Sequence, residues 1–239
     1  MSSADQLPDL ELARARFHLT GVFSDPDALE RLARKTFDEW RLLVYERYED
    51  QDVGVALHME EGSLRGKALV LATLSAVFTG ISNYGSIKAG LKELIEDGRW
   101  VSQQLFEKEP MVKVVRNDPS PKISWDAGTL EELGSIFERV KLAQLTPDEG
   151  VTLATALLSK YGHLSDQQRQ ELERSIIEMP KYGPQTVIPI EPTAEPKPKK
   201  SSKPRRETPD IPKQGHWVID IIARNRRSDP EVKRRKLSK

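Results

Sequence analysis

ALVLATLSAVFTGISNYGSI, residues 68–87, is the stretch on which the reading of this chain turns: it carries no charge and is bracketed by Lys67 and Lys88. A helix of that length is about 30 Å long, the thickness of a bilayer's hydrocarbon core. Small residues fall four apart within it, Ala72, Ala76 and Gly80 on one line, and Gly85 and Gly90 interrupt the apolar pattern beyond. Small residues at this spacing let two helices approach closely. Thr73, Ser75, Thr79, Asn83 and Ser86 weigh the other way, because hydroxyls and an amide need partners in hydrocarbon. Arg65 and Lys67 before the run and Lys88, Lys92 and Arg99 after it give little charge asymmetry to orient a span. Leu91, Leu94, Ile95, Val101, Leu105 and Phe106 continue a helical pattern to Pro110. The expectation is one long apolar helical segment over 62–109, either membrane-contacting or a core helix.

Upstream, residues 12–22 alternate. Ala13, Ala15, Phe17 and Leu19 fall on one side and Arg14, Arg16, His18 and Thr20 on the other, the period of a strand with one wet face. Asp25-Pro26 opens a helix with proline in its first turn, and Leu29, Leu32, Ala33, Phe37, Trp40, Leu43 and Val44 follow at helical spacing. Val53, Val55, Leu57 and Met59 then alternate with Gly54, Ala56, His58 and Glu60 as a second strand. Strand, long helix, strand predicts a βαβ-like unit over 1–61, parallel or antiparallel.

Downstream, Val112, Val114 and Ile123 suggest a short strand, interrupted at Asn117-Asp118-Pro119-Ser120-Pro121. Thr129 opens a helix carrying Leu130, Leu133, Ile136, Phe137 and Val140. Thr146-Pro147-Asp148-Glu149 and Ser165-Asp166-Gln167-Gln168 both have capping-box spacing, and they predict two further helices of a bundle over 110–182. From 183 onward Pro, Lys and Ser dominate, which predicts a disordered basic tail over 183–239. One apolar island, Trp217-Val218-Ile219-Asp220-Ile221-Ile222, interrupts it, followed by the cations Lys233, Arg234, Arg235 and Lys236.

Net charge is zero, but it is unevenly placed. Residues 191–239 hold 15 Lys/Arg against 7 Asp/Glu, or +8, so residues 1–190 carry −8. A basic arm on an acidic body suits a nucleic acid, an anionic lipid or an acidic partner. The absence of cysteine excludes disulfides, thiolate metal sites and thiol catalysis. The opening Met1-Ser2-Ser3-Ala4-Asp5-Gln6 has no basic region followed by an apolar run, so a secretory signal is not expected. Gly62-Ser63-Leu64-Arg65-Gly66-Lys67 lacks the spacing and the hydroxyl of a phosphate loop. His18, His58, His163 and His216 are too scattered for metal-ligand spacing, and no nucleophile-elbow pattern occurs.

The sequence therefore predicts an α+β protein without catalytic, cofactor or metal residues. The expected function is a non-enzymatic, membrane-associated interaction protein on the cytoplasmic side, meeting a bilayer through 68–87. Ala72, Ala76, Gly80, Asn83, Gly85 and Gly90 are its candidate membrane or helix-packing residues, and an oligomer through that face is an option. Trp217, Ile219 and Ile221 are candidates for docking a protein partner, and Lys233, Arg234, Arg235 and Lys236 for anionic lipid or nucleic acid. The alternative is a cytoplasmic adaptor or nucleic-acid-binding accessory protein in which 68–87 is core.

Overall fold

The computed structural model describes residues 9–23, 25–49, 52–82, 84, 86–179 and 216–237. The protein is a mixed α+β structure. Strand β1 (Leu10–Phe23) leads through helix α1 (Pro26–Arg47) to the hairpin β2 (Val53–Glu60) and β3 (Gly62–Ala72). Helices α2 (Leu74–Ser82), α3 (Ile87–Glu107) and α4 (Met111–Arg116) follow, then β4 (Lys122–Asp126). Helices α5 (Thr129–Lys141), α6 (Pro147–Leu158) and α7 (Asp166–Ile177) precede a last hairpin, β5 (His216–Ala223) and β6 (Glu231–Leu237). All six strands form one antiparallel sheet in the order β4-β1-β3-β2-β5-β6.

The N-terminal unit is a split βαβ. Strand β3 runs antiparallel to both β1 and β2 and lies between them, so β1 and β2 are parallel to each other without pairing. Helix α1 makes the crossover. The Asp25 side chain caps it by accepting the Asp27 N–H at 2.9 Å, and Pro26 sits in its first turn. Its stripe of Leu29, Ala33, Phe37, Trp40 and Val44 is buried against the sheet and α3. The Trp40 indole donates to the Val101 carbonyl at 3.4 Å, and Arg47 pairs with Asp97, so two bonds fasten α1 to α3.

The charge-free run is not one helix. Leu64, Ala68, Val70 and Ala72 are buried while Arg65, Lys67, Leu69 and Leu71 take the other face, a period of two in the centre of the sheet. The chain then turns into α2, where the Thr73 hydroxyl accepts the Ala76 N–H at 3.2 Å, and breaks again before the Ser86 cap of α3. Charge is missing because β3 is a central strand and α2 buries Leu74, Val77, Phe78 and Ile81. Ala72 therefore lies on a strand, not on a helical line with the half-buried Ala76 and buried Gly80. Gly90 packs α3 against α2, since a Cβ there would stand 2.6 Å from the Ile81 carbonyl oxygen. Asn83 and Gly85 lie outside the described residues. Among the described residues no helix is long and apolar enough to cross a membrane. The exposed residues of α2 and its approach are Thr73, Ser75 and Thr79, so the apolar side chains of this helix face protein.

Two more expectations change. Val112 and Val114 belong to helix α4, leaving only Ile123 of that group on a strand. The basic end of the chain is folded: β5 pairs with β2 and β6 with β5, so 216–237 is part of the sheet, while 183–215 lies outside the described residues. The apolar island does add a strand to a sheet edge, but the edge is that of β2 in the same chain. Ile219 and Ile221 are 0% and 1% exposed in the common core and are not available to a partner. The capping boxes of α6 and α7 form as expected, at Thr146/Glu149 and Ser165/Gln168.

Candidate functional site

Helices α1 and α3 cover one face of the sheet, and the other is polar over Lys122, His18, Arg65, Glu60 and the row beside them, with Leu69, Leu71 and Ile222 farther along it. The strand register places its side chains in rows. Lys122, His18, Arg65 and Glu60 lie side by side across β4, β1, β3 and β2, and the next row holds Ser124, Arg16, Lys67 and His58. Neighbouring strands are about 4.8 Å apart and next-but-one residues about 6.7 Å apart. Lys122, His18, Arg65, Arg16 and Lys67 thus share a field of roughly 10 by 7 Å.

Their partners differ. Lys67 reaches Glu11 at 2.9 Å, and Glu11 also accepts from Arg14, which pairs with Asp126 at 2.9 Å. Asp118 borders the patch, tied to the Thr20 hydroxyl at 2.9 Å; hydrogen bonds from the Ser120 and Thr20 backbone hold its carboxyl below the usual range. Arg16, Arg65 and Lys122 are exposed and have no carboxylate partner among the described residues. These are the side chains with cationic capacity to spare.

Further across the same face runs a chain of polar contacts. His58 Nδ1 lies 2.6 Å from Asp220 Oδ1, its Nε2 lies 3.1 Å from Glu60, and Asp220 accepts from Arg235 at 2.5 Å. Burial works to lower the His58 pKa, but its hydrogen bonds to Asp220 and Glu60 outweigh that and raise it. Burial likewise works to raise Asp220, and hydrogen bonds from His58 and Arg235 bring it below its ordinary value. This network clamps β5 to β2. No group of residues with metal-ligand geometry occurs among the described residues.

Strand alternation splits the expected basic cluster. Lys233 and Arg235 point to the open face, where Arg235 is committed to Asp220. Arg234 lies on the helix side, 2.9 Å from Asp27 on α1 and with its guanidinium 4.4 Å from the centre of the Trp217 ring. Lys236 stands 5.7 Å from the same ring. Arg234, stacked on Trp217, thus fastens the hairpin to α1.

The alternation of 12–22 placed Arg14, Arg16 and His18 on a wet face, but nothing local joined them to Arg65, Lys67 and Lys122. That juxtaposition comes from β3 and β4 flanking β1. The molecule is an antiparallel sheet whose open face carries charges of both signs, with Arg16, Arg65 and Lys122 unpaired among the described residues. It matches no protein-family model, no curated protein and no solved structure.

Proposed function

We propose that the protein is a non-enzymatic nucleic-acid-binding accessory protein that holds a phosphodiester backbone on the open face of its sheet. The observation that carries this reading is the field of Arg16, His18, Arg65, Lys67 and Lys122, three of whose members have no carboxylate partner. One strand of a duplex presents a charge about every 3.4 Å of axis, so a field roughly 10 Å long faces about three phosphates. No Phe, Tyr or Trp is among the described side chains of this face, so the contact rests on charge against phosphate, which carries no sequence information. The bilayer contact expected at 68–87 has less support, since Ala68, Val70, Leu74, Val77, Phe78 and Ile81 are core and only Leu69 and Leu71 lie half-buried on the open face.

Fluorescence anisotropy with a labelled duplex tests the reading. Binding in the range of about 10⁻⁴ to 10⁻⁶ M is expected at physiological salt, with log K falling by about 0.9 per decade of salt for each phosphate engaged. The exposed triple variant Arg16→Glu/Arg65→Glu/Lys122→Glu should stay folded by circular dichroism and lose about tenfold or more in affinity, with a flattened salt slope. No binding at low salt, or equal binding by the variant, refutes the proposal. So does preference for anionic vesicles over the duplex.

A further inference from the structure

A cavity of about 590 Å³ lies in a crevice between α3 and α5 and shares no residue with the cationic field on the sheet. Its size lies within the range of small-molecule sites, roughly 300–1,000 Å³. Its floor is apolar: Leu91 and Phe137 are buried and Ile95 is half-buried. One wall is the backbone of Gly134, in the middle of α5. Glycine there is destabilising relative to alanine, and what it leaves is space, because a Cβ would lie 2.6 Å from Ile95 Cδ1. The end of a flexible side chain can yield, so alanine is sterically allowed at this position; any larger side chain fills the crevice.

The charges at the rim are nearly all spent. Glu131 accepts from Arg99 and from the Ala127 N–H, Glu138 pairs with Lys141 at 3.0 Å, and Glu96 lies 3.6 Å from Lys92. Lys88 remains, exposed and without a partner among the described residues. An apolar floor with one uncommitted cation matches a ligand with an alkyl body and one negative charge. The lining residues on α3 run from Ser86 to Arg99, about 20 Å of helix, whereas one acyl chain fills half a hydrocarbon core, about 15 Å. A docking helix, about 10–12 Å across, would lie over the mouth, because α3 and α5 touch at Ile95 and Gly134. We propose that this crevice binds a long-chain carboxylate, its alkyl chain along Leu91, Ile95 and Phe137 and its head on Lys88.

The test titrates the intact protein with octanoate, decanoate, dodecanoate and tetradecanoate below their micelle concentrations, and with dodecanol as the uncharged analogue. Affinity should rise about two- to fourfold per methylene, with dodecanoate bound several-fold more tightly than dodecanol. Lys88→Glu should remove that preference and leave dodecanol binding unchanged. Gly134→Leu should abolish binding of every ligand while nucleic-acid binding persists. If Gly134→Leu fails to fold, Gly134→Ala gives the milder loss, and the charge selectivity of Lys88→Glu decides alone. Absence of saturable binding up to about 1 mM, indifference to chain length, or equal binding by Lys88→Glu overturns the proposal.

Discussion

Two glycines in helices, Gly98 and Gly134, show how differently the same residue is used. In α3, Gly98 faces β1 where the register of that strand slips between Glu11 and Ala13. The slip brings the Leu12 carbonyl oxygen to 2.1 Å from where a Gly98 Cβ would stand, with Ala127 Cβ at 3.1 Å. Main chain cannot swing aside as the end of Ile95 can. Gly98→Ala should therefore cost about 1–3 kcal/mol in overpacking, exceeding the ~1 kcal/mol that alanine offers a helix. Gly134→Ala should be neutral or stabilising. Urea titration of the two variants checks the contrast, and equal midpoints would refute it. Neither distance is visible in the sequence, where Gly98 stands between Asp97 and Arg99 and Gly134 between Leu133 and Ser135. Gly128, at φ +56° against the Glu11 carbonyl, is a third such position, and it stands at the N-cap of α5 with Thr129 as the first helical residue.

At the level of elements, the β5–β6 hairpin is held by chemistry that titrates. His58 on β2 faces Lys67 across β3 and Asp220 across β5; Glu60 lies beside it and Arg235 behind Asp220. A histidine whose pKa is raised by folding contributes fully below its ordinary value near 6.5, and the contribution is lost as pH climbs through the raised value. A depressed aspartate contributes above its ordinary value near 3.9 and fails as pH falls through the depressed one. Both contributions are whole between about pH 4 and 6.5. Amides of β5, corrected for intrinsic exchange rates, should thus be better protected at about pH 5.5 than at about pH 8.5, and His58→Gln should abolish the difference. Protection that ignores pH in the wild type would contradict this. Elements with local signals were legible: β1, α1, β2 and the two capping-box helices stand where their periodicity and caps put them. β3 was not, because its wet face carries Leu69 and Leu71 beyond Lys67, so alternation of charge stops halfway along the strand.

For the molecule as a whole, the sheet is assembled from residues far apart in sequence, and this is why its open face could not be read from the chain. Lys122 meets His18, and Asp220 meets His58, through pairings that no local pattern announces. Without the hairpin, β2 becomes an edge with free N–H and C=O groups, the kind of surface that pairs with other chains. A fragment of residues 1–182 should accordingly self-associate, and a peptide of residues 212–239 should return it to a monomer with a saturable change in Trp217 fluorescence. Sedimentation would decide; a monomeric fragment indifferent to the peptide would show the hairpin to be dispensable. The completed protein carries four basic residues, Lys233 to Lys236, on its outermost strand β6, which discourages further pairing. That protection arrives late. The ribosome finishes β2 at Glu60 and reaches the end of β6 only at Leu237. At about 5–20 residues per second the nascent chain spends roughly 10 to 35 seconds with its central sheet open on one side, long enough for the β2 edge to need shelter during synthesis.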